Sequence, residues 1–310
     1  MTLPRTMKAA RIARYGAPDA VVIEDRPLPQ PGPGEVLVQL RAAPVTAGDA
    51  RIRSGKVPRG FGVLLRLAMG WSRPRNPPGW AFAGVDCATG RRVFGIAGLR
   101  GGAHAEYLAV KATQALPLPE GLSFEEGAAF FFGGLTAAEY LIDKCALKAG
   151  DRLLVNGATG AVGSAALQIA RALGAQITAV CSSANHGLAR RLGAESVIDY
   201  RSQPVTGQFD VVLDVIGTLP EPQGLLAPGG RLGLISADLA ATLAAIFRPR
   251  VFAGPSGEGL ARMQRLIGLY TQGAYRPMVG ESLPFAELPR AHAIAETFHK
   301  PGNLVVVMPA

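Results

Sequence analysis

Two spacings of apolar and polar positions divide the chain. Up to about residue 120 the apolar positions fall in short, strand-length runs at 8–12, 21–24, 35–42, 91–96 and 103–110, which predict a β-rich region. Turn-forming residues separate them. The PLPQPGPG stretch at 27–34 cannot continue a helix, and a Gly-rich AGLRGG parts the last two runs. From Ser123 the pattern changes. Ser123 followed by Glu125 and Glu126 reads as a helix start, with acidic side chains at the positive end of the dipole, and an apolar helical stretch runs on towards 147.

Strand and helix signals then alternate. Strands are predicted at 152–156, 176–181, 196–199, 209–215, 231–235 and 250–253, with helices at 161–173 and 185–192 between the early ones. Apolar strands alternating with helices predict a parallel, doubly wound sheet, so the expected fold class is α/β with a β-rich first domain. The tail, 283–310, turns strand-like again at NLVVVMP and is expected to return to the first domain.

Composition narrows the class. A chain of 310 residues with 48% hydrophobic and 18% charged residues can bury large cores and is not a disordered protein. The formal charge of +9 comes from dispersed residues, mostly Arg; Arg66, Arg73 and Arg75 are the nearest approach to a cluster. Without a basic block or a nucleic-acid motif, the balance reads as a solvated surface that also favours an anionic cofactor, and no nucleic-acid partner is expected. Cys87, Cys145 and Cys181 stand far apart, which argues against a disulfide framework and against a cysteine-rich zinc lobe. No run of 18 apolar residues occurs and the first residues show no apolar signal stretch, so a cytoplasmic enzyme is the expectation.

The most informative stretch is RLLVNGATGAVGSAALQIARALGA at 152–175, where an apolar strand runs into Gly157, Gly160 and Gly163 and a helix begins at once. Ala158 stands where the first glycine of GxGxxG usually does. Glycines there permit a tight turn and close approach to a pyrophosphate, while the helix N-terminus offers amides and positive partial charge. Ala158, Thr159, Gly160, Ala161, Val162 and Gly163 are therefore candidate dinucleotide contacts, packing-only glycines being the alternative. The next strand ends in Cys181, Ser182 and Ser183 rather than in the Asp or Glu that binds a ribose 2′-hydroxyl in NAD sites. Small hydroxyls leave room for a 2′-phosphate, with Tyr200 and Arg201 as further contacts. NADPH is expected, with NADH the alternative; helix capping is the other reading of the serines.

These segments resemble the medium-chain dehydrogenase/reductase superfamily, in its zinc-free quinone oxidoreductase and enoyl reductase branch. The resemblance runs from Met7 through nearly the whole chain, carried by MKAARIARYGAPDAVVIED, PGPGEVLVQLRAAPVTAGDARIRSG, GGAHAEYLAV, GGLTAAEYL, the glycine-loop segment, LGAESVIDY, FDVVLDVIG and PGGRLGLIS. It implies a GroES-like catalytic domain at 1–122, completed by 274–310, and a Rossmann domain at 123–273, with the active site in the cleft. It also implies a homodimer joined at RVFAG. Thr46 stands where the zinc alcohol dehydrogenases of this superfamily have a ligand Cys, and Gly79-Trp80-Ala81 matches their Gly-His-Glu. A zinc site needs three or four donors, so no metal is expected. Three departures stand out: Ala184 where a basic residue is common, a shortened FAGVDCATGRRVFG, and Ala50 and Arg51 where an aromatic residue often lines the pocket.

Without a metal to polarise a simple ketone, a quinone or conjugated C=C in a small electrophile is the easier hydride acceptor, its developing charge held by hydrogen-bond donors. Matching segments give Thr46 as a substrate or ribose contact, or a turn hydroxyl. Asp49 is placed to orient Arg51 or Arg53, or to make a loop salt bridge. Ser236 is expected near the nicotinamide, as is Thr136, with a helix-interior threonine as its other reading. His104, in a Gly-rich loop, reads as a surface residue, and solvent protonates the product. Apolar residues within 59–80 read either as a lid over an apolar substrate or as packing on the catalytic domain. A nucleotide-binding crystallin-like or RNA-binding protein with little turnover, and a zinc-free alcohol dehydrogenase, are the alternative functions.

Overall fold

The structure is a computed structural model and describes residues 3–309. In chain order, a hairpin of β1 (Thr6–Ile12) and β2 (Val21–Pro27) precedes the long β3 (Glu35–Val45). Two short helices, α1 (Ala47–Ser54) and α2 (Gly62–Met69), lead to β4 (Ala81–Asp86), β5 (Arg92–Ile96), β6 (Tyr107–Lys111) and β7 (Ala115–Pro117). The long helix α3 (Phe124–Ala138) continues into a π-helical turn, Glu139–Lys144. Then come β8 (Arg152–Asn156), α4 (Ala161–Ala172), β9 (Gln176–Val180), α5 (His186–Leu192) and β10 (Ser196–Ile198). β11 (Phe209–Asp214), β12 (Leu226–Leu234), α6 (Leu239–Ile246), β13 (Val251–Ala253) and α7 (Leu260–Thr271) follow. The chain ends with β14 (Val279–Pro284), α8 (Leu288–Thr297) and β15 (Asn303–Val307).

Two compact units emerge. One takes the chain up to Val57, Gly62–Phe131 and the tail from Val279; the other takes Pro58–Phe61 and Phe132–Met278. The division falls inside α3, downstream of Ser123. Ser123 and Glu126 satisfy each other's amides at the start of that helix, at 3.1 and 3.0 Å, so its first turn is capped by the residues that signal it.

In the first unit the sheet runs β14-β15-β3-β4-β5-β7, with β6 also on β3. β15 lies antiparallel to β3, Leu304 opposite Val45, which fixes the tail into this sheet. Its core gathers Val38, Leu40, Phe82, Leu288, Leu304 and Val306. The shortened 86–91 connection is a tight hairpin in which Asp86 accepts from the Ala88 amide at 3.0 Å and the Thr89 hydroxyl at 2.6 Å. No residue of α2 is fully buried: Val63, Leu64 and Leu67 are exposed, while Leu65 and Met69 are half-buried.

The second unit is a six-stranded sheet in the order β10-β9-β8-β11-β12-β13, every pair parallel. That is the doubly wound order in which the chain starts at the centre, winds to one edge through β9 and β10, then returns to wind the other way. Its switch point lies between β8 and β11, where ligands bind beyond the carboxyl ends of the strands. Leu154, Val180, Val212 and Leu232 fill the core on the sheet. The mixed α/β class read from the apolar pattern is the one observed.

Candidate functional site

The switch point is built by the ends of three strands. β8 finishes on Asn156, whose side-chain amide donates to Asp214 Oδ1 at 2.8 Å and to Thr218 Oγ1 at 3.0 Å. Asp214, ending β11, also accepts from the Gly217 amide at 2.9 Å and the Leu219 amide at 3.3 Å. Both residues are buried. One carboxylate thereby shapes the 215–219 turn and ties it to the end of β8. Ser236 joins the same crest, its hydroxyl donating to the Val215 carbonyl at 2.8 Å. The sequence reading passed over Asn156 and Asp214. The signal was there: a polar residue ending an apolar strand at the carboxyl edge.

Between β8 and α4 runs the glycine turn. Gly157 has φ +76°, a left-handed conformation that favours glycine. The Gly157 and Ala158 amides donate to the Val180 carbonyl at the end of β9, both at 3.2 Å, which anchors the turn to the sheet. A Cβ on Gly163 would stand 2.2 Å from the Gly157 carbonyl oxygen, so only glycine lets the helix meet the turn. Gly160 differs: a Cβ there meets nothing closer than the Gly157 carbonyl oxygen at 3.7 Å, an ordinary contact, so the protein leaves room for it. The first amide of α4 to close onto the turn is that of Ser164, donating to Gly160 at 2.8 Å. The amides of Ala161, Val162 and Gly163 at the helix start have no intrahelical acceptor and, with the dipole, form an anion cradle. Ala158 and Thr159 are buried beneath it. These residues fit a dinucleotide pyrophosphate.

α3 crosses this helix start at backbone distance. A Cβ on Gly133 would lie 2.1 Å from the Ala161 carbonyl oxygen, which explains the Gly-Gly pair in GGLTA. One turn on, Thr136 donates back to the Phe132 carbonyl at 3.2 Å and shares a 2.9 Å hydrogen bond with Ser256. The buried Glu139 fixes the same loop by accepting from the Gly257 amide at 2.7 Å.

At the other end of the turn, the structure brings Ser182, Ser183, Tyr200 and Arg201 together through a residue the sequence reading missed. Asp199 accepts from the Ser183 amide at 3.2 Å on one oxygen and from the Arg201 amide at 3.0 Å on the other. The Arg201 amide, foremost, holds its carboxyl below the usual carboxylate range. Arg201 lies 5.5 Å from the Tyr200 ring centre, and both side chains are exposed. Asn185 reaches back to the Ser182 hydroxyl at 3.3 Å. Burial first, then Asp199, pushes the Cys181 thiol up to about 11, so it is not a thiolate at neutral pH.

In the first unit, Thr46 and Asp49 form a reciprocal cap on α1. The Thr46 amide donates to Asp49 Oδ2 at 2.9 Å, the Thr46 hydroxyl to the same oxygen at 2.5 Å, and the Asp49 amide to the hydroxyl at 3.1 Å. Asp49 Oδ1 takes the Gly79 amide at 3.3 Å. The expected pairing of Asp49 with Arg51 or Arg53 is replaced by this cap, because the carboxylate meets the otherwise unsatisfied amides of the helix start. Arg53, fully buried, pairs instead with Glu296 at 2.5 Å and with the Gly16 carbonyl. Arg51 lies 5.3 Å from the Phe298 ring centre, and burial draws its pKa down. His104 is not a surface residue: it is buried, its Nε2 donating to the Pro44 carbonyl at 3.0 Å.

No group of three His, Cys, Asp or Glu side chains is arranged to hold a metal ion among the described residues. The capped Thr46 and the indole of Trp80 are not a zinc donor set.

Comparison with known proteins agrees with this architecture. The zinc-binding dehydrogenase family matches residues 192–306. A zinc-type alcohol dehydrogenase-like protein, C16A3.02c, of Schizosaccharomyces pombe is 30% identical over 276 residues, covering 78% of this chain and 77% of that one. Human quinone oxidoreductase is 28% identical over 93% of both chains. The quinone oxidoreductase of Thermus thermophilus, solved with and without NADPH, superposes with a TM-score of 0.79 at 33% identity, covering 97% of this chain and 100% of that one. The chain belongs to the medium-chain dehydrogenase/reductase superfamily, in the branch of quinone oxidoreductases and enoyl reductases. It is an oxidoreductase.

Proposed function

We propose that the protein is a zinc-independent oxidoreductase that uses NADPH to reduce a quinone or a conjugated C=C bond in a small electrophile. The second unit is the Rossmann, nucleotide-binding domain and the first, with the tail, the GroES-like catalytic domain. The observation that carries the reading is the cradle at the switch point, where three helix-start amides stand beside the open face of Gly160. NADPH, when bound, supplies the hydride.

The protein's own groups do the rest. The amides of 161–163 take the pyrophosphate charge, and Thr136 and Ser236 border the nicotinamide side. Ser182, Ser183, Tyr200 and Arg201 offer hydroxyls and a cation to a 2′-phosphate. Asp199 follows β10, whereas the acid that claims a ribose hydroxyl in an NAD site ends the strand before it, which here is followed by Cys181, Ser182 and Ser183. The NADPH complex of the Thermus enzyme supports the choice. Arg51 stabilises negative charge that develops on the substrate oxygen, while Thr46 and Asp49 hold the helix that presents it. Solvent returns the proton. The absence of a zinc donor set around Thr46 and Trp80 supports a metal-free reaction.

The protein works in the cytoplasm as a homodimer. Support for the dimer lies in β13, an edge strand of its sheet, beside α6 with Leu243, Ile246 and the following Phe247 exposed. No helix among the described residues is long and apolar enough to cross a membrane.

The test is a panel of quinones, enones and simple alcohols with both reduced and oxidised cofactors, read by cofactor absorbance and product analysis. NADPH consumption with quinones or enones, and inert alcohols, is expected. Alcohol oxidation would assign a dehydrogenase instead. Cofactor binding without turnover, or salt-sensitive binding of single-stranded RNA, would assign a binding protein.

A further inference from the structure

A cavity of about 580 Å³ lies wholly within the first unit, between the β1–β2 hairpin, the 73–77 segment and the start of β6. That volume suits a small organic molecule. Its walls are fixed by backbone bonds. Ala10 N donates to the His104 carbonyl at 2.8 Å, Gly102 N to the Pro78 carbonyl at 3.1 Å, and Arg75 N to the Met69 carbonyl at 2.7 Å. A Cβ on Gly101 would sit 2.1 Å from the Pro77 carbonyl oxygen, so the two loops meet at backbone distance. Such a cavity needs little reorganisation to receive a ligand.

Its charge is one-sided. Arg11, Arg26, Arg73 and Arg75 line it, and no carboxylate does. Arg11 and Arg26 share a single counter-ion, Glu24, each at 2.6 Å. Arg73 and Arg75 make no ion pair among the described residues. Four guanidinium groups thus face one carboxylate, beside the apolar side chains of Met7 and Leu108. Guanidinium forks match planar and tetrahedral oxyanions through paired N–H donors.

We propose that this cavity is a second ligand site, separate from the nucleotide cradle, for a small molecule that joins an oxyanion, phosphate or carboxylate, to an apolar body. The oxyanion sits on Arg73 and Arg75, and the apolar body lies against Met7 and Leu108.

Calorimetric titration of the full-length protein, with excess NADPH to fill the cradle, tests it with phenyl phosphate, benzoate and inorganic phosphate as probes. Saturable binding of phenyl phosphate or benzoate is expected, with the tighter of the two naming the oxyanion, and inorganic phosphate about tenfold weaker for want of the apolar contact. Exchanging both free arginines (Arg73→Ser with Arg75→Ser) is expected to weaken the organic probe by about 10–100-fold while leaving melting temperature unchanged. No saturable heat with any probe would overturn the proposal, as would binding undiminished in the double variant or binding seen only when NADPH is left out. The arginine dependence reads on this cavity alone, so a failure of the NADPH assignment is seen separately.

Discussion

Gly160→Ala separates the ligand from the fold. Gly160 caps α4 with φ −73° and ψ −177°, extended backbone open to any residue. Its added methyl meets no protein atom closer than 3.7 Å. Two small effects on stability oppose each other: a less flexible unfolded chain contributes about 0.4–1 kcal/mol, while alanine is a poorer helix cap than glycine by about as much. The variant is therefore expected to melt within a few degrees of the wild type. Binding should change far more. The methyl occupies the space through which a pyrophosphate oxygen approaches the amides of 161–163. Loss of one charge-assisted hydrogen bond, about 1.5–3 kcal/mol, raises the NADPH Kd by roughly 10–150-fold. Gly163→Ala is the contrast: its Cβ would press to 2.2 Å against the Gly157 carbonyl, and fold and binding should fall together, by about 1–3 kcal/mol in stability. Fluorescence titration paired with thermal melting reads both quantities. A folded Gly160→Ala protein that binds NADPH as tightly as wild type would refute the placement of the diphosphate.

Three further outcomes follow from other parts of the structure. Burial, then His104, holds His292 down to about 3, with Asp49, Arg53 and Glu296 also facing it. Since its pKa is about 6.5 when unfolded, the unfolded chain takes the proton first. Stability present above that value is lost on acidification, at up to about 1.4 kcal/mol per pH unit between the two values. Neither ring nitrogen has a hydrogen-bond partner, so His292→Phe should flatten that slope in urea midpoints taken near neutrality and at about pH 5. Asp214→Ala removes one of the two acceptors of the buried Asn156 amide and strands two backbone amides, and chemical denaturation should show a loss of about 2–4 kcal/mol, partly restored in Asp214→Asn. Thr46→Ala should cost about 0.5–2 kcal/mol through the lost cap, and Thr46→Ser should recover it; a Ser variant as unstable as Ala would show that the hydroxyl does not cap.

Legibility in the sequence followed the period of the apolar residues. The strand read at 152–156 is β8 to the residue, and the helix read at 161–173 runs one residue past α4, because strand, glycine turn and amphipathic helix each carry a local signal. α6 went unread: LAATLAAI is apolar all round and shows no polar face to set a helical period. α8 was hidden in the tail, where only the Val-rich β15 announces itself. At the site, the glycines were legible because each imposes a backbone requirement at one position. Asp199 and Asp214 were not, since each acts on amides 2–16 residues away that come within reach only once the turns have folded. Asp49 misled for the opposite reason. Its nearest partner was not a cation along the helix but the Thr46 hydroxyl three residues back.

Hydride transfer itself is the step that most directly tests a metal-free NADPH reductase. NADPH carrying deuterium at both C4 positions of the nicotinamide is mixed with an enone and with protein dialysed against a chelator until its zinc content is far below one per chain. One deuterium is expected on the reduced carbon for each NADPH consumed, at the rate of undialysed protein. Reduced product without label, turnover that returns only with added zinc, or no loss of NADPH would contradict metal-free hydride transfer.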